Sequence, residues 1–169
     1  MDTGLLILRL VLGLLMAAHG AQKLFGWFGG PGLAGASGMF ESLGFRPGRL
    51  FVAAAGTSEI GGGLLMAMGL LGPVGPALML SVMVVAAVSV HAPHGLFAMS
   101  NGIEIPLLYG IGAAALALTG PGHYSLDALL GLTPLWTSPV SWAALVAGIL
   151  GGVLNLALRR RPDAASVAA

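Results

Sequence analysis

The stretch "GLLILRLVLGLLMAAHGAQKLFG" (residues 4–26) decides the fold. At 1.5 Å of rise per residue it is long enough to cross about 30 Å of hydrocarbon, and its ionisable side chains are Arg9, His19 and Lys23 alone. The rest of the chain has the same character. Of its 169 residues 57% are hydrophobic and 8% charged, with a mean hydropathy of +0.95, against roughly a quarter charged in a soluble domain. This composition is that of an integral membrane protein with room for one helical bundle. A net charge of +1 gives no reason to expect a nucleic-acid partner. The lack of cysteine excludes disulfides, thiolate metal sites and thiol redox chemistry within the chain. Asp2 stands where a secretory signal would carry Lys or Arg, so the first apolar run is expected to be a retained helix.

Outward from that first run, four further apolar segments follow at about 49–71, 73–91, 103–119 and 139–158, the third and fourth spans of the chain being the shortest. "GLLGPVGP" (69–76) is a Gly/Pro corner that makes a hairpin of spans two and three. "HAPHGLFAMSNG" (91–102) and "GPGHYSLD" (120–127) are polar breaks. Lys23, Arg46 and Arg49 bracket the first loop, and Arg159, Arg160 and Arg161 follow the last span. With five spans both groups fall on one face, which predicts an N-terminus outside and a C-terminus inside. With four spans they would fall on opposite faces. Trp27 and Phe28 at the inner boundary, and Trp136 and Trp142 at the outer one, match the aromatic belts of a bilayer. In the loop from Gly29 to Gly48, Met39, Phe40 and Leu43 supply a short apolar face that lies in the interface or folds back into the bundle. Small residues at Gly13, Ala17 and Ala21, and at Ala144, Gly148 and Gly152, permit close helix approach, within the bundle or between copies.

The polar residues inside the spans carry the functional reading. His19 and Lys23 are four apart and stack on one side of the first helix, Lys23 at its end and His19 about 6 Å deeper. Lys23 can simply snorkel to the interface; His19 needs a partner. Glu59 lies near the middle of span two, where insertion of a charge costs about 2.5–3.5 kcal/mol. Protonating an ordinary glutamate at pH 7 costs about 3.7 kcal/mol at 1.36 kcal/mol per unit, so a neutral and a paired Glu59 both stay open. Gly56 and Gly63 share its face. Glu104, in "NGIEIP" with Asn101 and Pro106, suits a first helical turn. An inner-half cluster of His19, Lys23, Glu59, Glu104 and His91 is expected, because buried ionisable groups face the bundle interior or a polar cavity. At the outer face Arg9 is expected to clamp Asp127 or the carbonyls of the 120–122 turn.

These residues together resemble the DoxX family of small bacterial membrane proteins. The matching pieces are Arg9 and Gly13 in "RLVLG", His19, Gly20 and Lys23 in "HGAQK", Glu59 followed by Gly61 and Gly62, Asn101, Gly102, Glu104 and Pro106 in "NGIEIP", and Ser125 and Asp127 in "GPGHYSLD", over roughly residues 5–130. The resemblance implies an all-α, four-helix transmembrane core over 1–130. Residues 131–169 then add a fifth helix and a basic tail, a departure from many members. It also implies residence in the bacterial cytoplasmic membrane and a redox connection, since relatives include a membrane subunit of thiosulfate:quinone oxidoreductase.

Two functions follow. In a quinone-reactive subunit, His19, Lys23, Tyr109 and His91 would bind the cofactor, Glu59 and Glu104 would relay protons, and Arg9, Asn101 and Asp127 would form a structural polar clamp. In a non-enzymatic anchor or assembly subunit, the polar groups would only lock helices together, and the partner would be a soluble protein or a second copy. Haem b between His19 and His91 ranks far below a quinone, and no metal is expected, because Pro93 interrupts "HAPH" and no Glu-x-x-His motif occurs.

Overall fold

The computed structural model describes residues 1–160. Its long helices are α1 (Asp2–Phe25), α3 (Gly48–Met68), α4 (Val74–Ala86), α5 (Glu104–Thr119) and α7 (Ser138–Ala157), with shorter helices α2 (Gly32–Ser42) and α6 (Leu126–Leu129) between them. No strand occurs among the described residues. Four helical runs, α1, α3, Val74–His94 and α7, are long and apolar enough to span a membrane. The 16-residue α5 reaches about 24 Å. It runs antiparallel to α1: Tyr109 lies beside His19, Gly112 beside Leu12 and Gly122 beside Leu5. The chain therefore alternates direction through five helices. Lys23, Arg46, Arg49, Arg159 and Arg160 gather at one end, here the inner end. Arg161 lies outside the described residues.

Several helix ends follow from local sequence. Gly26 (φ 73°) and Gly69 (φ 63°) adopt the left-handed conformation that terminates α1 and α3. Pro106 and Pro139 sit in first turns, where a missing N–H costs little. α4 does not stop at Pro93. It widens into a π-helical turn over Ala87–His91 and tightens into a 3₁₀ turn over Ala92–His94.

Glycines set the helix pairing. A side chain at Gly20 would come within 2.5 Å of the Gly56 carbonyl, and one at Gly13 within 2.5 Å of that of Gly63, so α1 and α3 touch backbone to backbone. Gly148 meets the Ala77 carbonyl in the same way, and Gly152 that of Ser81. Both small-residue stripes are thus used inside the bundle, joining α1 to α3 and α7 to α4. α4 is central, packing on α3, α5 and α7, while α3 and α7 do not pack closely on one another. Met16, Met66, Met79, Ala113 and Leu116 fill the space between α1, α3, α4 and α5 on the outer side of Glu59. Outward faces stay apolar, as at Val11, Leu14, Ile111, Leu150 and Val153. Lipid is the solvent that suits such a surface.

Trp142 is exposed on the first turn of α7 and fits the outer belt. Trp136 does not join it: its ring packs over Gly72, and its Nε1 is buried without a partner. Trp27 and Phe28 are exposed at the inner end.

Candidate functional site

Below the methionine core, the gap between α3 and α7 opens on the inner half of α4 as a cavity of about 250 Å³. Phe51, Ala55 and Ser58 of α3, Val82 and Val85 of α4 and Asn155 of α7 form its walls. α2 closes its inner side with Met39, Phe40 and Leu43, the apolar face expected from the sequence, here folded against the bundle. Phe45, fully buried, sits between Phe40 and Phe51 with ring centroids 5.8 and 5.4 Å away and the ring planes tilted by 48° and 50°. The π-helical turn contributes Ser89, Val90 and His91. Such turns insert an extra residue into a helix and so change which side chains point one way.

The charged groups of this cavity are Lys23 and Glu59. Lys23 Nζ donates to Glu59 Oε1 at 2.6 Å and Oε2 at 2.7 Å. Their meeting follows from helix direction. Side chains tilt toward the N-terminus of their own helix, and α1 and α3 are antiparallel. Lys23 therefore rises from the inner end while Glu59, about 16 Å along α3 from Gly48, reaches down. Glu59 is 2% exposed. The Lys23 side chain is 22% exposed and connects the pair to the surface.

The other expected members of the cluster stand elsewhere. His19 is exposed and bonds within its own helix, Nδ1 to Gln22 Oε1 at 3.2 Å, while Gln22 Nε2 donates to the Phe28 carbonyl at 3.3 Å. Its ring is edge-on to Tyr109 at 6.3 Å, and neither residue lines the cavity. The Glu104 carboxylate accepts the Ala98 N–H at 2.7 Å, holding the 95–104 loop. That loop is tied further by Ile103 N–H to Gly95 O and Glu104 N–H to Leu96 O. His91 does line the cavity, and its Nδ1 bonds the Asn101 carbonyl at 2.8 Å. A carbonyl only accepts, so Nδ1 carries the hydrogen and Nε2 is left as the variable nitrogen. Asn101 itself adopts φ 64° at this loop, far from the outer end.

At the outer end Arg9 donates to the Pro121 carbonyl. Asp127 accepts the Leu71 N–H at 2.9 Å and the Gly72 N–H at 2.6 Å, fastening the Gly/Pro corner. Of the alternatives for Arg9, the turn carbonyl is taken and a direct ion pair with Asp127 is not formed. Among the described residues no group of three His, Cys, Asp or Glu side chains is placed to hold a metal. Gln22, Phe45 and Asn155 are the residues that sequence reasoning missed. Gln22 sits three places after His19, a helical neighbour spacing that could have found it; Phe45 and Asn155 carry no local signal.

The match to known families covers the same elements. The DoxX family model matches residues 4–92, just over half of the chain, from the start of α1 through the π-helical turn. The chain belongs to the DoxX family. The matched region contains Lys23, Glu59 and His91, the ionisable residues of the DoxX cavity. The motif stretches at 101–106 and 120–127 lie beyond it. No curated protein and no solved structure matches the chain.

Proposed function

We propose that this DoxX protein is a quinone-interacting membrane subunit of a redox system, with the inner cavity as the head-group site. The observation that carries the reading is a buried Lys23–Glu59 pair against an otherwise apolar cavity of about 250 Å³. That volume is just below the range of small-molecule pockets, about 300–1,000 Å³, and suits one ring with its tail left in lipid along the α3–α7 gap. A bound quinone would supply carriage of two electrons and two protons, the electrons coming from a partner redox protein. Lys23 has three N–H donors, of which two are engaged by Glu59, leaving one for a carbonyl oxygen. His91 Nε2 offers a second contact. The Glu59 carboxylate is the group that would take up and pass on a proton, and Lys23 links it to the surface at the inner end. Under this reading His19, Tyr109 and Glu104 position their own segments and do not touch the ligand. The basic inner end faces the cytoplasm of a bacterial cell.

Lipid extraction of the purified protein followed by mass spectrometry tests the reading. An isoprenoid quinone is expected with the wild type and absent from Glu59→Gln, with the variant still folded. Quinone missing from the wild type, together with tight co-purification of a soluble protein, would replace this reading with that of a membrane anchor.

A further inference from the structure

The structure joins two basic segments more than a hundred residues apart. Arg160 N–H donates to the Gly44 carbonyl at 2.8 Å, and Arg159 Nε donates to the Leu43 carbonyl. The Arg159 guanidinium also lies over the Phe45 ring, 6.0 Å from its centroid. Gly44 (φ 91°) leaves no room for a side chain beside the Arg160 carbonyl. Arg46 follows Gly44 by two residues and Arg49 stands in the first turn of α3, so both lie at the same end of the bundle as Arg159 and Arg160.

Among the described residues no carboxylate forms an ion pair with them. The ion pair found among the described residues is Lys23–Glu59, and Glu41, which precedes Arg46 near the end of α2, accepts the Gly48 N–H at 2.9 Å; Asp163 lies outside the described residues. Arg46, Arg49 and Arg160 are exposed. Next to them Leu50 and Leu158 are exposed as well, at the helix ends where the hydrocarbon layer begins. Like charges drawn together repel unless an anion joins them. Arginine forks match phosphate oxygens, and the flanking leucines match acyl chains. Basic pockets between transmembrane helices take lipid head groups for these reasons.

We propose that the inner end of the α3–α7 seam binds one anionic phospholipid, its phosphate among Arg46, Arg49 and Arg160 and its chains against Leu50 and Leu158. The clasp made by Arg159 and the Gly44 carbonyl holds this site together, and the site is independent of any ligand in the cavity above it.

Native mass spectrometry and thermal unfolding of the full chain in a neutral detergent test the proposal, with phosphatidylglycerol, phosphatidylcholine or inorganic phosphate added. One phosphatidylglycerol per chain should stay bound and raise the melting temperature. Removing one arginine should weaken binding about fivefold, the equivalent of about 1 kcal/mol per basic residue near an anionic surface. Arg49→Gln serves for this, being exposed and outside the clasp, with Arg46→Gln as the second variant. Equal stabilisation by phosphatidylcholine would overturn head-group recognition. Equal stabilisation by inorganic phosphate would make the ligand a soluble anion. Unchanged phosphatidylglycerol binding in both variants would overturn the site itself.

Discussion

At the outer end of the bundle Arg9 is 2% exposed and Asp127 is 0% exposed, and each is bonded to loop backbone, Asp127 accepting two N–H groups and Arg9 donating to the Pro121 carbonyl while its Nε is left without a partner. The gap beside Arg9 is only about 10 Å³, barely one water. At the inner end Lys23 and Glu59 satisfy one another and face a space some twenty-five times larger. The two ends bury similar charges to different purposes. Charges bonded to loop backbone hold loops in place. A pair bonded to itself beside empty volume can exchange its partner for a ligand.

The comparison is most easily broken at Asp127. Asp127→Ala strands two part-buried N–H donors, those of Leu71 and Gly72, at the lower end of about 1–3 kcal/mol each, so a loss of about 3 kcal/mol is expected in denaturant unfolding of the detergent-solubilised protein. A loss under about 1 kcal/mol would mean that the outer end is not a clamp. Gly20→Val drives a side chain into the Gly56 carbonyl and should cost about 1–3 kcal/mol by overpacking the α1–α3 seam. The same variant should lower quinone content, because the seam sets the height at which Lys23 meets Glu59.

Glu59→Gln should cost less than Asp127→Ala, about 1–3 kcal/mol, since Lys23 can turn toward the surface. The sharper measurement is the double variant Lys23→Met/Glu59→Leu. An apolar pair of similar size commonly replaces a buried ion pair without loss, so its stability should return to within about 1.5 kcal/mol of wild type while quinone binding stays absent. A double variant as unstable as the worse single one would make the pair a structural lock. The smallest effect belongs to Trp136→Phe. It removes a buried N–H that has no partner, so stability should change by less than about 0.5 kcal/mol or rise slightly.

Much of the fold could be read from the chain. The expected spans 49–71 and 139–158 became α3 (Gly48–Met68) and α7 (Ser138–Ala157), because span length and glycine stops are local properties. The site was legible only in part. Lys23, Glu59 and His91 reach one cavity, whereas His19 and Glu104, assigned to the same cluster by sequence, find partners in their own segments. Periodicity places a residue on a helix and at a height. It does not give the rotation of that helix about its axis.

By itself, then, the sequence determined the apolar segments, their approximate bounds and the polar breaks between them, since hydrophobic length acts on each segment separately. Four and five spans, and so the sharing of one end by the basic groups, both stayed open until the helices were placed. Only the tertiary structure decided that Lys23 meets Glu59, that α7 leaves a gap beside α3, and that Arg159 and Arg160 close over the 43–45 loop. Those outcomes depend on where glycines let two backbones touch. Each such contact fixes the rotation and height of a pair of helices, and with them which side chains share a space.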